Sequence, residues 1–137
     1  QQTFVSIGFL ALYRIVNGFG TSTIAAYAVA MRIDALAALP AMNFSAALST
    51  FTGQNIGAGR MERVATGLKA TLMMIAVVAL SVTMLALLLA NPLMHAFTSD
   101  PEVIKVGVEY IYIVSPFYLV FSSMFVLMGL LRGAGDR

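Results

Sequence analysis

Four long apolar runs, separated only by short clusters of glycine, proline, asparagine and charge, decide what this chain can fold into. They cover residues 2–19, 23–56, 65–90 and 101–131. A hydrocarbon core of ~30 Å takes about 20 residues of helix, so each run is long enough to cross a bilayer. Inside lipid every backbone N–H and C=O must be satisfied within the structure, which leaves helices or a closed barrel. No ten-residue stretch alternates as a barrel strand would, so the expected class is all-α: a polytopic membrane protein with four transmembrane helices arranged as two hairpins. Composition agrees. Hydrophobic residues make up 60% and charged residues 10%, with a mean hydropathy of +0.90, far from the roughly 25% charge of soluble domains.

The same composition excludes several functions. Eight basic against six acidic residues give a net charge of +2, a small excess among few charges, so no nucleic-acid partner is expected. There is no cysteine, hence no thiolate site or thiol nucleophile, and the one histidine, His95, cannot form a cluster. No GxSxG or HExxH motif occurs and no helix face carries a pair of acids, so the chain does not read as an enzyme and no cofactor is expected.

Local signals set helix ends and orientation. Ser99-Asp100-Pro101-Glu102 places an acidic N-cap before a proline at the first helical position. Pro40 and Pro116 are expected to kink the second and fourth helices. Gly57-Ala58-Gly59-Arg60 has an echo in Arg132-Gly133-Ala134-Gly135, and glycines there suit helix stops better than phosphate binding. Arg60, Glu62, Arg63 and Lys69 lie between the second and third helices, and Arg132 and Arg137 follow the fourth. The other two connections are uncharged or net acidic. The positive-inside rule then puts both ends of the chain in the cytoplasm. Gln1 is no initiator methionine and the apolar run starts at once, so the expectation is a stretch from within a longer protein.

Polar groups inside apolar segments are costly and mark candidate sites. At 100° per residue, Gln2, Ser6, Tyr13 and Asn17 form a stripe on the first helix. On the second, Tyr27, Asp34, Ser45, Ser49 and Thr52 share one face, and Arg32, Asn43 and Thr50 another. On the fourth, Lys105, Glu109, Tyr112, Pro116 and Ser123 lie along one side. A single serine or threonine is more often packing surface than ligand contact. Arg32 and Asp34, about 160° apart, each need a partner or water: a cavity or an interhelical ion pair. The cavity candidates are Gln2, Ser6, Tyr13, Tyr27, Arg32, Asp34, Asn43, Ser45 and Tyr112.

Several of these stretches stand in a familiar order. The run from Gly20 through Ile24-Ala25-Ala26-Tyr27 to Met31-Arg32-Ile33-Asp34 is followed by Leu39-Pro40-Ala41-Met42 and by Gly53-Gln54-Asn55-Ile56-Gly57-Ala58-Gly59-Arg60. Asp100-Pro101-Glu102-Val103 and Leu131-Arg132-Gly133-Ala134-Gly135-Asp136 complete the series. The chain thereby resembles the multidrug and toxic compound extrusion (MATE) transporters, over the first four helices of their C-terminal half. The resemblance implies a part, residues 1–137, of a twelve-helix, two-lobe transporter of the cell (inner) membrane. Such a transporter exports organic cations and other drugs by antiport with sodium ions or protons. The implied partners are the lipid bilayer, small-molecule drugs and the N-terminal lobe. The family's sodium-coupled branch carries acids within its seventh and tenth helices. Here neither corresponding interior has one, which turns attention to Asp34 or to the other lobe. The alternatives are a lipid-linked-precursor flippase of the same superfamily and a non-transporting membrane assembly subunit.

Overall fold

The computed structural model describes residues 8, 10, 11, 14–16, 18 and 20–135. The described residues of the first apolar run are helical at 8, 10, 11 and 14–16. Then come α1 (Thr21–Gly57), α2 (Met61–Leu88), a short α3 (Ala90–His95), α4 (Pro101–Val114), a 3-10 turn (Ser115–Phe117) and α5 (Tyr118–Gly133). Among the described residues there is no strand. The chain is an all-α membrane protein. Three helical stretches, Thr21–Gly57, Met61–Leu88 and Pro101–Gly133, are long and apolar enough to cross a bilayer.

The helix ends follow local chemistry. α1 closes through Ala58 and Gly59: the Ala58 N–H donates to the Gln54 carbonyl at 3.1 Å and the Gly59 N–H to that of Ile56 at 2.9 Å. Gly59 sits at φ +70°, in the left-handed region where a Cβ is disfavoured. The echo is geometric as well as sequential. After α5, Ala134 donates to the Leu130 carbonyl at 2.9 Å, and Gly135 takes φ +97°. Asp100 caps α4, its carboxylate accepting from the backbone N–H of Glu102 at 2.9 Å and of Val103 at 3.5 Å. Replacing Asp100 by alanine should cost about 1 kcal/mol, and so speed amide exchange at Glu102 and Val103 roughly fivefold.

Both boundaries of the third expected helix shift. The third helix starts at Met61 instead of residue 65, so Glu62 and Arg63 join Lys69 in the helix and the connection shrinks to residues 58–60. Glu62 then lies in the first turn, where the helix dipole favours an acid. That helix ends at Leu88 instead of residue 90, because Pro92 has no N–H to offer the Leu88 carbonyl. α3 follows, unforeseen. Its Met94 is fully buried over Gly107 of α4, and any larger residue there would collide with the thioether. The prolines differ in effect: α1 runs unbroken through Pro40, whereas at Pro116 the helix tightens into the 3-10 turn.

α1 is the central element, packed most extensively against α5 and also against α2 and α4. Two apolar clusters result. One gathers Ala26 and Ile33 with Ala86, Met94, Val103, Val108, Ile111 and Tyr118. The other joins Ala41 and Leu48 with Ile75 and Val126. Around the second cluster the α1 and α5 backbones come close, because Gly129 and Gly133, one turn apart, lie against Ser45, Ser49 and Thr52. α2 turns Met73, Val77, Leu80, Met84 and Leu88 outward, each at least half exposed, a stripe suited to lipid tails.

Candidate functional site

Asp34, thirteen residues into α1, is the carboxylate that the fold draws inward. It is half-buried between α1, α4 and α5, and both of its oxygens are engaged. The Tyr110 hydroxyl of α4 donates to Oδ2 at 2.7 Å, and the Tyr118 hydroxyl, at the start of α5, donates to Oδ1 at 2.5 Å. Bonds to an ionised acceptor are short and roughly twice as strong as neutral ones, which offsets the cost of a charge in an apolar bundle. Tyr27, two turns before Asp34, sets its ring against that of Tyr110 at a centroid distance of 6.1 Å and an interplanar angle of 80°. The result is a carboxylate held by two phenols from two helices, with the ring of a third tyrosine set against one of them.

Local sequence explains how the tyrosines arrive there. Val103, Gly107 and Ile111 recur at four-residue steps and form the buried face of α4, with Tyr110 beside it. The 3-10 turn then delivers Tyr118 back toward α1. At that turn Ser115 is fully buried, and its carbonyl accepts from the Thr83 hydroxyl of α2 at 3.0 Å.

Of the residues proposed from sequence, Tyr27 and Asp34 meet in this cluster through Tyr110. Ser45 lies in the α1–α5 contact instead, 1% exposed, its hydroxyl accepting from the Arg132 guanidinium at 3.1 Å. Arg32 and Asn43 are exposed. Tyr112 is 48% exposed and lines an outer groove of about 450 Å³ with His95, Lys105 and Glu109. Gln2, Ser6 and Tyr13 lie outside the described residues. Tyr110 and Tyr118 were not among the candidates. The signal for them was Asp34's own need of donors, together with Tyr110's place beside the apolar face of α4. Among the described residues no group of three or more His, Asp or Glu side chains could hold a metal ion. What the cluster can do is hold one proton or one cation at a carboxylate, with aromatic faces at hand for a cation of larger size.

The MatE family model matches residues 1–137. The probable multidrug resistance protein YpnP of Bacillus subtilis is 28% identical over 135 residues, 98% of this chain and 30% of that protein. The probable multidrug resistance protein NorM of Thermotoga maritima is 26% identical over 131 residues, 96% of the chain and 28% of that protein. The chain thus spans less than a third of the length of these relatives. No solved structure matches it. With the family model matched along its whole length and an apolar helical bundle to carry it, the chain belongs to the MatE family.

Proposed function

We propose that the chain is part of a secondary active multidrug efflux transporter, which exports organic cations or other drugs by antiport with sodium ions or protons. The observation that carries this reading is Asp34, a carboxylate inside the bundle held by two phenol hydroxyls with a third aromatic ring adjacent. A charge kept inside an apolar bundle by neutral donors can be exchanged for a charge neutralised by a passing cation, which is the step antiport needs. The names of the relatives, both probable multidrug resistance proteins, support the drug class. The missing N-terminal lobe would supply the opposite wall of the cavity. The cationic residues near these helix ends, Arg60, Arg63, Lys69 and Arg132, support an orientation in the cell (inner) membrane with both ends of this stretch in the cytoplasm.

The test is Asp34→Asn in the full-length transporter, assayed by efflux of a fluorescent organic cation from membrane vesicles under a proton or a sodium gradient. A charge-assisted contact is worth roughly 1.5–3 kcal/mol, so export should fall about 10- to 100-fold while the protein still accumulates in the membrane. Undiminished export with unchanged dependence on both gradients would overturn the reading.

A further inference from the structure

α1 and α2 leave an open groove of about 700 Å³ between them, near the 58–60 connection. Phe44, Leu48 and Phe51 line it from α1, and Gly67, Ala70 and Met74 from α2. A Cβ at Gly67 would collide with the Phe51 ring, so glycine lets that ring close on α2 and form a wall of the groove. Two threonines also line it, yet neither asks for a polar ligand. The Thr66 hydroxyl donates to the Glu62 carbonyl at 2.9 Å and the Thr71 hydroxyl to the Gly67 carbonyl at 2.8 Å, each within its own helix. What the groove offers along its length is apolar surface.

Its charges sit at one end. Glu62 and Arg63 are the charged residues that line it, both exposed, and neither side chain has a hydrogen-bond or ion-pair partner among the described residues. Neighbours on a helix point about 100° apart, so the two cannot close on each other and stand side by side as one acid and one guanidinium. From Arg63 to Met74 is eleven residues, about 16 Å of helix, close to half of a ~30 Å hydrocarbon core. An apolar channel one leaflet deep, with a cation and an anion at its mouth, has the length and the polarity of a single membrane lipid.

We propose that this groove binds one zwitterionic phospholipid of the adjoining leaflet, with its phosphate on Arg63, its primary ammonium on Glu62 and one acyl chain laid between α1 and α2 against Phe44, Phe51 and Met74. The guanidinium offers a fork of donors matched to phosphate oxygens, and the carboxylate accepts from the ammonium N–H groups. A choline headgroup has no N–H to give. A glycerol headgroup leaves Glu62 facing a lipid of net negative charge, so both alternatives bind less well. Phe44 lies ten residues beyond Asp34 on α1, about 15 Å of helix, and the lipid site is independent of any part Asp34 plays in export.

The chain contains no tryptophan, so Met74→Trp places a fluorophore in the groove and Leu80→Trp one on the outward stripe of α2 beyond it. Both are made in the full-length transporter with every other tryptophan replaced by phenylalanine. Each is reconstituted into phosphatidylcholine vesicles containing brominated phosphatidylethanolamine, phosphatidylglycerol or phosphatidylcholine, and quenching by bromine reports which lipid touches the fluorophore. Met74→Trp should show phosphatidylethanolamine preferred about three- to tenfold over either other lipid, as two exposed ion pairs allow, and Leu80→Trp should show no preference. Adding Glu62→Gln should bring phosphatidylglycerol level with phosphatidylethanolamine, and Glu62→Gln with Arg63→Gln should abolish selection. Both side chains are exposed, so these changes leave the core intact. Equal quenching by the three lipids at Met74→Trp would reveal passing bulk lipid and overturn the site. A preference for phosphatidylglycerol, or selection that survives the double variant, overturns it as well. So does fluorescence untouched by any brominated lipid, which would place another segment of the transporter in the groove.

Discussion

Gly129→Leu or Gly133→Leu should prevent recovery of a monodisperse protein. A Cβ at Gly129 would fall on the Ser45 carbonyl oxygen and 2.7 Å from the Ser45 hydroxyl. One at Gly133 would fall on the Ser49 carbonyl oxygen and 2.8 Å from the Thr52 Cβ. In each case the obstacle is backbone of α1, which cannot turn aside as the end of a flexible side chain could. The helices must separate along their most extensive contact, and the Arg132–Ser45 hydrogen bond separates with them. Overpacking of ordinary cores costs about 1–3 kcal/mol, and a backbone clash repeated along an interface belongs at or above the upper end. Size-exclusion profiles in detergent check this. Gly57→Ala is the control: a Cβ there meets nothing within 4 Å, and the variant should elute as the wild type does.

Asp34→Leu is expected to lower stability by about 2–6 kcal/mol, because it strands two phenol hydroxyls in an apolar bundle at roughly 1–3 kcal/mol each. The cost arises from unmet donors and not from the absence of charge, which gives a second expectation of opposite sign. Combining Asp34→Leu with Tyr110→Phe and Tyr118→Phe should restore most of the loss, since removing all partners of a buried polar set together is often near neutral. Thermal melts followed by helix circular dichroism compare the two. A triple variant no more stable than the single one would show that Asp34 supports the bundle by something other than its two tyrosines.

What could be read before the fold was known was local. The Asp100 cap and the glycine stops at Gly59 and Gly135 depend on neighbours within a turn, and each lies where the residues placed it. α3 escaped because six residues are too few for a helical period to show. The site was half legible. Asp34 stood out as an intramembrane acid, but its partners lie 76 and 84 residues away, and periodicity reports which residues share a face without reporting what covers it. The same limit explains Ser45. It shares a face of α1 with Asp34, yet about three turns along that helix separate the part that meets tyrosines from the part that meets glycines. Tyr112 was grouped with the charged side of α4, and the fold turned that side outward.

The two apolar clusters draw on different sets of elements. α1, α2 and α5 contribute to both, whereas α3 and α4 contribute only to the one around Met94 and Ile111. The bundle is therefore made of two cooperative units of unequal standing. Loss of the cluster that α3 and α4 share would leave α1 and α5 their glycine-packed contact and α2 its place in the other cluster. Amide exchange in α3 and α4 is therefore expected to be faster than in the part of α1 that faces Gly129 and Gly133.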